Sequence, residues 1–160
     1  MPRIGITGHA NLTAAAAPHV LKALEGELAA DARDGLVGVS CLDRGADQLF
    51  ARAVLNLGGQ LEVVLPAADY RQRKVKPDNA AQFDELLARA SNVHTMPYEE
   101  SHRDAYMAAS EHLLASVDKI VAVWDGRPAG GHGGTADVVQ TAHDRGIPAS
   151  IVWPEGAERG

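Results

Sequence analysis

The chain is short of the residues on which several kinds of chemistry depend. It has one cysteine, Cys41. No disulfide can form within it, and a cytoplasmic setting fits. Cys41 lies in an apolar run and reads as a small buried strand residue. Aromatics make up only 4% of the chain, which argues against a stacking platform for single-stranded nucleic acid. The formal net charge is −6, so broad nucleic-acid binding is not expected. The seven histidines show neither HxH nor HExxH spacing, and no metal site is expected. No Ser-His-Asp order with a nucleophile elbow occurs. No apolar run reaches the length of a membrane span. The opening residues Met-Pro-Arg-Ile-Gly-Ile read as a strand rather than a signal peptide.

What is present is glycine in one place. The stretch Trp124 to Val139 reads WDGRPAGGHGGTADVV. An apolar run from Lys119 to Trp124 leads into it, with the β-branched content of a buried strand. Gly126, Gly130, Gly131, Gly133 and Gly134 follow, and then Thr135 begins a helical pattern with Ala136, Val139 and Ala142 at spacing three. Strand, glycine loop, Thr and helix form the layout of an anion site. Glycine allows positive φ and close approach of a ligand to the amides. Thr135 is placed to cap the helix, whose unpaired amides carry partial positive charge. No Lys-Ser/Thr follows the glycines, so this is not the P-loop pattern.

Strands and helices alternate along the rest of the chain. Strands are expected at 3–7, 36–42, 61–65, 93–96, 119–124 and 147–153. Helices are expected at 14–32, from the 43–47 turn to about 57, and at 79–90, 101–116 and 135–145. The segment 67–77 reads as irregular and carries Arg71, Arg73, Lys74 and Lys76, either a solvated loop or a flap over an anionic ligand. This pattern predicts an α/β chain: a single Rossmann-like domain over residues 1–154, with a mainly parallel sheet and helices on both faces. Residues 155–160 read as a frayed tail. Ligands in such sheets sit beyond the carboxyl ends of the strands, near a topological switch point.

Three loops at that edge hold the candidate site: Gly8-His9, Arg44-Gly45-Ala46-Asp47 and the 126–134 loop. His9 reads either as a hydrogen-bond partner of phosphate or ribose, or as a helix-start histidine. Arg44 reads as a phosphate grip or as a salt-bridge partner of Asp43 or Asp47. Asp47 and Asp137 lie in first helical turns, where the dipole stabilises an acid. Asp125, at a strand end, and Asp137 could each accept from a ribose hydroxyl. His132 could reach a ligand from within the loop.

Together, Gly5-Ile-Thr-Gly-His9, Gly45-Ala-Asp47, Asp125-Gly126 and Gly130-Gly-His-Gly-Gly-Thr135 resemble the SLOG superfamily. That superfamily includes the Lonely Guy phosphoribohydrolases, molybdenum-cofactor carrier proteins and the DNA-processing protein A family. The resemblance spans Arg3 to Trp153. It implies nucleotide binding, often in bacterial conflict systems, through Gly8, His9, Arg44, Gly45, Asp47, Asp125, Gly130, Gly131, Gly133, Gly134, Thr135 and Asp137. The ligand implied is AMP, ADP-ribose or a related nucleotide, with no other cofactor required, and the assembly implied is a homodimer. The Lonely Guy pattern Pro-Gly-Gly-x-Gly-Thr-x-x-Glu places its catalytic Glu on Val138. An acid stands one position earlier, at Asp137, which points about 100° away around a helix. Asp137, or else Asp47, is the candidate catalytic acid of the alternative reading, an N-glycosidase acting on a nucleoside monophosphate. A molybdenum-cofactor carrier is a further alternative. Ala10 stands where an Arg follows Gly-His in relatives, which removes one phosphate contact.

Overall fold

In the computed structural model, residues 1–127 and 134–160 are described. Gly130, Gly131, His132 and Gly133 lie outside them. Six strands form one sheet: β1 Arg3–Gly8, β2 Val37–Ser40, β3 Gln60–Leu65, β4 Asn92–Thr95, β5 Lys119–Val123 and β6 Ala149–Val152. Their order is β4-β3-β2-β1-β5-β6, and every pairing is parallel. The helices are α1 Ala17–Leu28, α2 Ala46–Asn56, α3 Tyr70–Lys74, α4 Pro77–Ala88, α5 Arg103–Ala115 and α6 Thr135–Asp144, with a short 3-10 turn at Asp31–Asp34. The chain is thus an α/β Rossmann-like domain, as its alternating pattern predicts.

The sheet is apolar on both sides because helices cover both. Ile4, Ile6, Val121 and Val123 pack against Val20, Leu24 and Phe50 of α1 and α2. Val39, Val64 and Ile120 pack against Ala109, Leu113, Val138 and Ala142 of α5 and α6. Tyr70 and Phe83 join Leu61 and Val63 in a third cluster. The chain steps outward from β1 to β4 and then returns to β5 beside β1. The switch point therefore falls between β1 and β5.

Several local expectations are corrected. Segment 67–77 is not wholly irregular, since α3 occupies Tyr70–Lys74; its apolar anchor Tyr70 packs against Phe83. The first helix spans 17–28 rather than 14–32. Thr13 Oγ1 accepts from the Ala16 amide at 3.2 Å in the turn that precedes the helix. In α2 the fully buried apolar side chains are Ala46, Phe50, Ala51, Ala53 and Val54, with Leu49 and Leu57 only partly buried. In α6 the buried face is Thr135, Val138 and Ala142 instead of Ala136, Val139 and Ala142.

The expected frayed tail is docked. The Leu12 and Arg159 backbones form an antiparallel bridge. Thr13 N donates to Glu158 O, and Gly160 N donates to Asn11 O at 2.7 Å. Ala157 packs on the core.

Candidate functional site

A cavity of about 640 Å³ opens over the carboxyl ends of β1 and β5. Its wall is built from the β1 end, the β2–α2 turn, α5 and the start of α6. Of the residues singled out in the sequence, Gly8, His9, Asp47, Gly134 and Thr135 line it. Arg44, Gly45, Asp125 and Asp137 do not, and Gly130, Gly131 and Gly133 lie outside the described residues.

Gly8 and Gly45 are required by packing. A Cβ on Gly8 would lie 2.4 Å from the Ala46 Cβ and 2.9 Å from the Val123 Cβ. Gly45 has φ +86°, and a Cβ there would lie 2.6 Å from the His9 carbonyl oxygen. The two loops thus press against each other, and Ala46 N donates to His9 O at 3.1 Å. Gly8 admits α2 and β5 closely, and it also lines the cavity. Just before, Leu42 holds φ +56°, an uncommon state for a bulky residue and one often found beside functional sites. It is held there by Gln48 Nε2 donating to its carbonyl and its own amide donating to Ser40 Oγ.

His9 is buried. The Asp125 amide donates to its Nε2 at 3.3 Å, and Asp125 Oδ1 lies 3.3 Å from the same nitrogen. Trp153 meets the ring edge-on at 5.6 Å. Burial, followed by the nearby Arg159, holds the imidazole below its usual pKa despite Asp125. A neutral ring accepting at Nε2 carries its proton on Nδ1. Asp125 in turn meets Arg159 Nε at 2.9 Å through Oδ2.

Arg44 pairs with Asp78 at 2.7 Å, not with Asp43 or Asp47, and borders a separate recess of about 190 Å³. In α6, Gly134 is the N-cap and Thr135 the first helical residue, with no side-chain cap bond. The expectation that Thr135 caps the helix is therefore corrected by one position. Gly134, Thr135 and Ala136 line the cavity at the start of the helix, whose Asp137 amide already donates to the Gly134 carbonyl at 3.1 Å. Asp137 is exposed, while Val138 turns inward to the cavity, as the 100° step between neighbours requires.

Sequence reading missed much of the wall. Asp43, Tyr70, Trp124, Arg127 and Arg159 all line the cavity. Asp43 and Asp47 sit at the β2–α2 turn, where the Asp43 amide donates to Asp47 Oδ2 at 3.2 Å. Asp47 is buried, and desolvation, reinforced by the Asp43 charge, pushes its carboxyl well above the ordinary range. Asp43 opens to the cavity, yet protein crowds it on most sides, and that desolvation raises its pKa too. Cys41 lies just past β2 on the same wall, half-buried rather than within the strand. Desolvation raises its thiol well above the usual value, so it is no thiolate nucleophile. Of the basic run at 71–76, Arg71 pairs with Asp84 and Arg73 lies 3.8 Å from Asp69. Lys74 reaches the cavity wall. Among the described residues no cluster of three or more metal-ligating side chains occurs, and no helix is long and apolar enough to cross a membrane.

No family model matches the chain, and no curated protein matches it. Solved structures do. DNA processing protein A from Streptococcus pneumoniae superposes with a TM-score of 0.67 at 18% identity, over 94% of this chain and 50% of that one. The Helicobacter pylori protein, described with a single-stranded DNA binding mode, gives 0.67 at 17% identity over 97% and 69%. The molybdenum-cofactor carrier protein of Chlamydomonas reinhardtii gives 0.57 at 19% identity over 97% and 79%. The chain spans half the length of the Streptococcus protein. The fold these structures share with this chain is the Rossmann-like α/β fold.

Proposed function

We propose that this SLOG-type domain binds a nucleotide or nucleotide-derived ligand at the β1/β5 switch point, as sensor or carrier. The observation that carries the reading is the division of charge within one cavity. Lys74, Arg103, Arg127 and Arg159 supply cations around it, while Asp43 and Asp47 line the β2–α2 side. This gathering occurs in a protein whose net charge is −6. Phosphate is placed at the first turn of α6, where the helix dipole favours an anion. The glycines of the 126–134 loop, read from sequence, belong to the same loop. The acids at the β2–α2 turn suit ribose hydroxyls. Trp124, half-buried on the wall, offers an apolar face to a base. The volume is within the range of small-molecule sites. Four cations gathered at one cavity in a chain of net charge −6 favour a small anionic ligand over single-stranded DNA.

The second reading is an N-glycosidase. It is favoured by Asp47, an acid whose pKa is raised by burial and by the neighbouring Asp43 carboxyl, the kind of arrangement used for general acid chemistry. Of the two acids expected for this reading, Asp47 lines the cavity and Asp137 does not, and Asp43 joins Asp47 as a candidate. A molybdenum-cofactor carrier is the third reading, since a pterin also fits the volume.

A thermal-shift panel of AMP, ADP, ATP, NAD, ADP-ribose and a molybdopterin separates these readings, with products resolved by chromatography. A ligand at a hundredfold its Kd adds about 2.7 kcal/mol, a shift of several degrees. Binding with intact ligand supports a sensor or carrier. Free base that disappears in Asp47→Asn supports the glycosidase. No shift with any nucleotide overturns the leading reading. A homodimer is proposed from the exposed Tyr106 and Met107 on α5; light scattering at the monomer mass refutes it.

A further inference from the structure

We infer that Arg159, from the docked C-terminal segment, is an anion-binding residue of the cavity, oriented for that task by Asp125. The inference rests on the nucleotide reading above. Arg159 lines the cavity although it lies far along the chain from the β1, β2 and β5 loops. Its place is fixed at three points. Its backbone bridges Leu12, its neighbour Glu158 accepts from the Thr13 amide, and Gly160 donates to Asn11. The side chain is held as well, by Asp125 Oδ2, 2.9 Å from Nε.

That contact uses the Nε edge. A guanidinium has five N–H donors in a planar fork, so the two terminal nitrogens keep their donors. No other ion pair or hydrogen bond of this guanidinium occurs among the described residues. A carboxylate fixed on one edge of an arginine orients the opposite edge, and a planar fork matches phosphate bidentately. Asp125 is itself anchored: its amide donates to His9 and its Oδ1 accepts from the Arg127 amide at 3.0 Å. His9, Asp125 and Arg159 thus form a line from the end of β1 to the cavity. The ligand group matched is a phosphate, or another planar or tetrahedral oxyanion, on a nucleotide-sized molecule.

The experiment compares AMP and ADP-ribose with adenosine by calorimetry on the full chain. Arg159→Gln should weaken AMP and ADP-ribose at least tenfold and leave adenosine within about twofold. Arg159→Lys, which keeps the charge and loses the fork, should fall between; it carries the test if Arg159→Gln does not fold. Asp125→Asn separates orientation from charge. Removing a nearby negative charge should tighten anion binding if charge alone counted, whereas loss of the orienting carboxylate should weaken AMP several-fold. Tighter AMP binding in Asp125→Asn overturns the orienting role. An unchanged preference for AMP over adenosine in both Arg159 variants overturns the inference and leaves the nucleotide reading standing. Wild-type protein that binds neither nucleotide overturns both.

Discussion

His9 and Asp125 close the carboxyl ends of two adjacent strands against each other. The His9 amide donates to the Val123 carbonyl at 3.2 Å, and the Asp125 amide donates back to His9 Nε2 at 3.3 Å. The imidazole is thereby part of the seam between β1 and β5, at the place where the chain reverses its direction across the sheet.

This seam predicts a titration. Burial first, and then the Arg159 charge, lower the His9 pKa from its ordinary value. A histidine with a depressed folded pKa lends stability above its unfolded pKa, near 6.5, and that stability is lost as pH falls toward the folded value. Folding stability should therefore decline below about pH 6.5. The His9 resonance in a proton NMR titration should stay neutral below that point. In Arg159→Gln its midpoint should move upward, because one cation is gone and Asp125 remains. A midpoint that does not move shows that the two groups do not sense each other.

Asp47 predicts the opposite slope. Desolvation, then the Asp43 charge, raise its folded pKa. The unfolded carboxyl ionises first, so its contribution is present below about pH 3.8 and is lost as pH rises toward the folded pKa. Asp47→Asn should remove this loss. The variant should gain stability over the wild type between pH 4 and 7 in urea unfolding, with a difference that grows with pH. A constant difference assigns its effect to packing alone.

Two glycines separate packing from backbone strain. Gly8→Ala places a methyl against the Ala46 Cβ and the Val123 Cβ, atoms fixed to the backbone. We expect a loss of about 1–3 kcal/mol, read as a fall of several degrees in Tm. Gly126 has φ +81° and open space around it. Gly126→Ala should cost only the left-handed strain, about 1 kcal/mol. Equal losses would show that the seam relaxes around an added methyl.

Arg44 predicts little. Its ion pair with Asp78 is exposed on both sides, and such pairs contribute about 0–1 kcal/mol. Arg44→Ala should leave Tm within a few degrees and nucleotide affinity within about twofold. A tenfold loss of affinity would return Arg44 to the site.

The elements were legible because their signals are local. Apolar runs bounded by Gly and Pro marked all six strands to within a few residues. Gly35 and Gly58 ended their segments with positive φ. Gly8 and Asp47 reached the cavity as the loop chemistry implied. What was not legible depends on long-range contact. Asp43 looks like any turn acid until Tyr70 and Asp47 crowd it. Trp124 reads only as the end of a strand, and nothing periodic marks Arg159, whose position comes from backbone pairing with residues 11–13. Asp137 stands one position from the catalytic Glu of the Lonely Guy pattern, and the helix geometry turns it outward. α3 was missed because five residues are too short for a periodic signal.

The clasp between Asn11 and Gly160 joins residues 149 apart in sequence. Contacts of such separation form late and slowly, because the whole intervening chain must first be ordered. During refolding, the sheet and its helices should therefore report their return by circular dichroism before the cavity is complete. Nucleotide binding followed in the same stopped-flow trace should be the last signal to recover.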